Sequence, residues 1–86
     1  MKKLEKVLKV FANARRLAIL AYLRQTKEAS VGNIAREIKL SFKSTSRHLG
    51  VLFAADLVEK DQRSLEVYYY LSHPAKKMLA LILTIL

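Results

Sequence analysis

SFKSTSRHLGVLFAADLV, running from Ser41 to Val58, decides the fold of this chain. Ser41 stands just before a run of helical period, where its hydroxyl can accept from a first-turn N–H near Ser44 that no helical carbonyl reaches. Thr45, Leu49 and Leu52 recur at spacings of four and three, which makes a narrow apolar stripe for a core. Lys43, Ser46, Arg47 and Gly50 fall on the other side of the same helix, predicted over residues 41–55. No acidic residue occurs between Glu37 and Asp56, so that outer face carries only hydroxyls and cations. Short hydrogen-bonding groups beside cations suit base edges and phosphates better than a substrate. Asp56 tolerates the left-handed conformation that ends a helix, and Leu57 to Lys60 begins a strand.

Toward the N-terminus, Ser30 caps a shorter helix marked by Val31, Ile34, Ala35 and Ile38. Only Lys39 and Leu40 separate it from Ser41, and two helices joined so tightly make a helix-turn-helix. Asn13 caps a helix with Leu17, Leu20 and Leu23 on one face and Ile19 beside them. Before it, Leu4, Val7, Leu8 and Phe11 trace one stripe of a helix over residues 2–12, with Lys2, Lys3, Lys6 and Lys9 toward water. Toward the C-terminus, Asp61, Gln62, Arg63 and Ser64 read as a turn, after which Leu65, Val67, Tyr69 and Leu71 alternate with Glu66, Tyr68, Tyr70 and Ser72. That is a β-hairpin, or wing. Pro74 opens a last helix that is apolar at almost every position from Met78 to Leu86. The expected fold is mostly α with a small β-hairpin, a single winged helix-turn-helix domain over residues 1–86.

The totals agree with this reading. Sixteen Lys and Arg against seven Asp and Glu leave a formal charge of +9, which favours a polyanion such as nucleic acid through counterion release. A hydrophobic fraction of 52% argues for a folded module rather than a basic tail. Without Cys the chain has no disulfide, no thiolate metal site and no thiol redox chemistry, and a cytoplasmic location with no membrane association is expected. Two His, no paired carboxylates at a plausible site and no Gly-rich phosphate loop argue against an enzyme.

The order helix, helix, helix-turn-helix, wing, helix resembles the winged-helix repressors of the ArsR family, over roughly residues 8–72. FANARRLAIL at Phe11 to Leu20 is similar to that family's opening segment, with Arg16, Ile19 and Leu20 in place. LSFKSTSRHLGVL at Leu40 to Leu52 is similar to its recognition helix, matching at Ser46, His48, Leu49 and Leu52, and LEVYYYL at Leu65 to Leu71 resembles its second wing strand. The resemblance implies a homodimeric repressor joined through its first and last helices. Leu4, Val7, Leu8, Phe11, Met78, Leu79, Ile82, Leu83 and Leu86 are then the expected interface. Family members are often metal sensors, with Cys near the third helix or His and acidic ligands on the last. This chain has none of these, His73 standing alone before Pro74, so neither a metal nor another cofactor is expected.

Double-stranded DNA is the expected partner, contacted by Lys43, Ser44, Ser46 and Arg47, with Arg47 bidentate to guanine and Lys43 on phosphate. Gln62 and Arg63 at the wing are expected to reach the backbone or minor groove. Two readings stand for Arg16, a phosphate contact or a structural ion pair. Two also stand for Phe42, a thymine-methyl contact or packing back on the neighbouring turn. His48 is expected to be a half-buried structural histidine. Tyr68 and Tyr70 alternate outward, but a stacking platform for single strands is the weaker reading. The rival function is a winged-helix assembly module that pairs with another regulator. No residue identifies a small-molecule inducer, an operator or the regulated genes.

Overall fold

The computed structural model describes residues 1–85. Among these the chain forms α1 (Lys2–Phe11), α2 (Ala14–Thr26), β1 (Glu28–Ser30), α3 (Val31–Ile38), α4 (Phe42–Ala54), β2 (Val58–Arg63), β3 (Glu66–Leu71) and α5 (His73–Ile85). Four of the five described helices begin on a side-chain cap. Asn13 Oδ1 accepts from the N–H of Arg16 at 3.0 Å, Ser30 Oγ from Asn33 at 3.2 Å and Ser41 Oγ from Ser44 at 3.0 Å, so α2, α3 and α4 all begin on side-chain caps. Ser72, which the sequence reading left uncapped, does more. Its hydroxyl accepts from Ala75 at the start of α5 and donates to the Asp56 carbonyl at 2.7 Å, so one side chain ties α5 to the end of α4.

The helix ends explain the short turns. Lys39 takes φ 56° and lets Leu40 N–H reach the Ala35 carbonyl at 3.0 Å, closing α3 without glycine. Asp56 does the same for α4 with φ 60°, as expected, while Leu57 N–H bonds to the Leu52 carbonyl at 3.0 Å. Both ends are Schellman closures, and the first sets the angle between the two helices of the helix-turn-helix.

The core lies where α2, α3 and α4 meet the sheet, filled by Ile19, Leu20, Leu23, Ile34, Leu49, Leu52, Leu57 and Val58. Thr45 is also fully buried there, and its hydroxyl has no hydrogen-bond partner among the described residues. Leu17, expected on the buried face of α2, turns outward, because the burial of Ile19, Leu20 and Leu23 puts the core about a third of a turn away from it.

The sheet is larger than a hairpin. Its order is β1-β3-β2, antiparallel throughout, with Ala29 opposite Tyr69 and Lys60 opposite Tyr69 from the other side. Asp61, Gln62 and Arg63, expected in the turn, extend β2 instead, down to the pair Arg63 and Glu66. The loop shrinks to Ser64 and Leu65, with Ser64 at φ 57°. Leu65 is therefore not an inward strand residue. It is the wing tip, 96% exposed.

Candidate nucleic-acid interface

Helix α4 presents the face its sequence describes. Thr45, Leu49 and Leu52 point into the core, which turns Lys43, Arg47 and Gly50 to solvent with Ser46 half-buried at the margin. Ser44 lies farther round, also half-buried, and its N–H is committed to the Ser41 cap. The ion pairs among the described residues are Lys9 with Glu5, Arg63 with Glu28 and Arg63 with Asp61, so neither Lys43 nor Arg47 is neutralised by a carboxylate.

A second cationic element flanks α4. Arg15, at the start of α2, donates from Nη1 to the Ile38 carbonyl at 3.4 Å, which holds its exposed guanidinium near the helix-turn-helix. Half-burial pushes the pKa of His48 below its ordinary value, and the charges of Arg16, Arg15 and Arg47 push it the same way. Arg15 was missed by the sequence reading; the Arg15–Arg16 pair just inside the cap was its signal. Arg16 forms no ion pair among the described residues. Its Nε donates to the Val10 carbonyl at 2.8 Å and its Nη2 to the Lys9 carbonyl at 3.4 Å, so it caps the C-terminal end of α1, where carbonyls lack helical partners.

On the wing Arg63 is exposed, but its guanidinium is engaged by the sheet itself. Both of its terminal nitrogens donate to the two carboxylate oxygens of Glu28 on β1, its Nε donates to Asp61 at 3.0 Å, and its guanidinium lies 4.6 Å from the Tyr68 ring centroid. Two carboxylates and an aromatic face occupy the group, holding its pKa above the usual value and that of Glu28 below. Gln62 remains exposed, bracing the loop through Nε2 to the Ser64 carbonyl at 3.0 Å. Between wing and helix-turn-helix lies a groove of about 450 Å³, walled by Asn33, Arg36 and Phe42 on one side and Leu65, Val67 and Tyr68 on the other.

The expected subunit interface divides into inward and outward residues. Phe11 and Leu79 are corrections: both are buried in the protomer's own core, because α1 and α5 each turn one edge onto it. Val7, Met78 and Ile82 are half-buried against that core. Leu4, Leu8 and Leu83 stay exposed, and Leu86 lies outside the described residues. Leu81 and Ile85, not singled out before, are more exposed still. No helix of the described residues is long and apolar enough to cross a membrane, and no cluster of three or more His, Asp or Glu forms among them.

Comparison with known proteins agrees with this geometry. A family model described as a helix-turn-helix domain matches residues 11–61. The transcriptional activator HlyU of Vibrio cholerae is 39% identical over 66 residues, covering 77% of this chain and 60% of that relative's length. Its solved structure superposes with a TM-score of 0.85 at 36% identity, over 94% of this chain and 88% of the other. The homodimeric winged helix-turn-helix DNA-binding domain of a possible ArsR-family regulator from Mycobacterium bovis gives a TM-score of 0.91 at 29% identity, over 98% of this chain and 78% of that one. The transcriptional repressor BigR from Xylella fastidiosa gives 0.84 at 26% identity, over 98% and 86%. With more than half its length inside the family model and a wing, a capped recognition helix and two flanking helices in the same arrangement, the chain belongs to the helix-turn-helix domain family, as a winged helix-turn-helix protein of the ArsR type.

Proposed function

We propose that the protein is a homodimeric, sequence-specific regulator of transcription that places α4 of each protomer in successive major grooves of a pseudo-palindromic duplex. The half-sites lie about one helical turn, roughly 34 Å, apart. The observation that carries this reading is the outer face of α4, free of carboxylates and set between the wing and the cationic start of α2. Bulk charge supplies affinity. Arg47 supplies sequence preference as a bidentate donor to guanine, Ser46 and Ser44 add short contacts, Lys43 meets phosphate, and Gln62 approaches the backbone from the wing. The exposed residues of α1 and α5 join the subunits, and the homodimeric state of the Mycobacterium bovis relative supports a dimer. Repression follows from occupying a promoter. The protein works in the cytoplasm, catalyses no reaction and uses no metal.

Selection of bound duplexes from a random pool, sequenced after binding at two salt concentrations, tests the reading. A two-fold symmetric site should emerge, with a log-log salt slope near −7 for about eight neutralised phosphates. Arg47→Ala is expected to cost about 1–3 kcal/mol at the selected site and to relax its guanine preference, whereas Lys43→Ala should weaken all sequences alike and reduce the salt slope by about one. Equal, sequence-blind losses in the two variants would remove the base-reading role of Arg47. No retention of duplex at physiological salt would leave the assembly-module reading in its place.

A further inference from the structure

Phe42 is the large apolar residue that the fold leaves unexplained. It is the first residue of α4, directly after the Ser41 cap, and is 62% exposed although the chain has an apolar core within a turn of it. Its ring forms one wall of the open groove, beside Asn33 and Arg36 of α3, whose far side is the wing. A polar residue would open the same helix at no cost in exposed apolar surface. The residues that share the outer face, Lys43, Ser46 and Arg47, are all hydrogen-bonding. The first turn of a recognition helix is the part that meets base edges, and the apolar feature of a base-pair edge in the major groove is the thymine C5-methyl group. One carboxylate, that of Glu66, lines the groove on the wing side. Arg36 lines it from α3, and Phe42 lines it from α4, whose neighbouring outer face carries no acid.

We infer that Phe42 is a specificity-determining residue that reads thymine through its C5-methyl group, an assignment that rests on the DNA-binding reading above. Each half-site then carries a thymine at one fixed position, and the ring covers its methyl while Arg47 and Ser46 bond to neighbouring bases. The contact is recognisable because it depends on a single carbon of the ligand.

The test uses the full chain and duplexes selected by it. Replacing each thymine of the selected half-site in turn by deoxyuridine removes only the methyl group. One position per half-site should lose about fourfold in affinity, the equivalent of one unburied methyl group. In Phe42→Ala that position should bind thymine and uracil equally, while the other positions keep their wild-type ratios. The inference is overturned if Phe42→Ala preserves the thymine-to-uracil ratio, or if the selected sites hold no thymine at a fixed position. It is also overturned if Phe42→Ala changes the oligomeric mass in solution, which would assign the ring to a protein contact. Failure to select any site overturns the DNA reading along with it, and so is distinct from a site selected without methyl dependence.

Discussion

Two residues of α4 show what single side chains contribute to such a surface. Gly50 sits at the middle of the outer face, and a Cβ built on it meets nothing within 4 Å, so no packing inside the protomer asks for glycine there. Glycine in a helix interior costs about 1 kcal/mol relative to Ala, and the natural use of that cost is close approach of a ligand. Gly50→Ala is therefore expected to raise the unfolding free energy by about 0.5–1 kcal/mol in urea melts while weakening duplex binding. Stabilisation with unchanged binding would show that the duplex stays clear of this point. His48 gives a pH dependence whose sign follows from its surroundings. Half-burial and then Arg16, Arg15 and Arg47 hold its folded pKa below the ordinary 6.5. As pH falls through 6.5, the unfolded chain takes up a proton that the folded one refuses, so stability contributed by neutral His48 is complete above 6.5 and is lost below it. Denaturant midpoints measured across that range should fall toward acid, and His48→Gln should flatten the fall.

At the scale of elements the wing is held rather than free. Arg63 joins β2 to β1 through Glu28, bypassing β3, and covers the Tyr68 ring of the strand between them. Glu28→Gln should leave the global melting point nearly unchanged, because an exposed pair contributes little to stability, but should speed amide exchange at Gln62 to Val67 by a few-fold at low salt. The difference should fade at high salt, where the pair is screened. Equal exchange in the two proteins would mean the strand ladder alone holds the wing. The sequence disclosed the helices and their caps well, because Asn13, Ser30 and Ser41 each sit before a run of helical period and act locally. It concealed β1, since three residues cannot show a period of two, and only pairing with Tyr68 to Tyr70 makes Glu28 to Ser30 a strand. For the same reason Arg63 looked like a free cation in a polar turn. Its partner lies 35 residues away and meets it only when β3 is inserted between β1 and β2. Lys43 and Arg47 were legible because the phase of one helix settles which way they face, whereas Phe42, in phase with the buried Thr45 and Leu49, was not.

For the whole molecule, α1 and α5 pose the question of which apolar residues belong to one protomer and which to two. The stripe Leu4, Val7, Leu8 and Phe11 reads as a single surface in sequence, yet the folded chain divides it: Phe11 is 5% exposed and Leu8 52%. On α5 the division repeats, with Leu79 buried and Ile85 84% exposed. Substitution should separate the two sets. Phe11→Ala and Leu79→Ala remove core volume and should cost about 2–5 kcal/mol of stability. Leu8→Glu combined with Leu81→Glu alters residues that already face water, so the thermal midpoint of the protomer itself should barely move. If these residues form the two-fold interface, opposed carboxylates cannot be buried there unpaired, and the variant should sediment as a monomer where the natural sequence is a dimer. Affinity for a complete palindrome should then fall by about a hundredfold or more, because the second half-site no longer gains from linkage to the first. Affinity for an isolated half-site should stay close to that of the natural protein at concentrations where both are monomeric. A charged variant that still sediments as a dimer would place the subunit contact elsewhere on the surface.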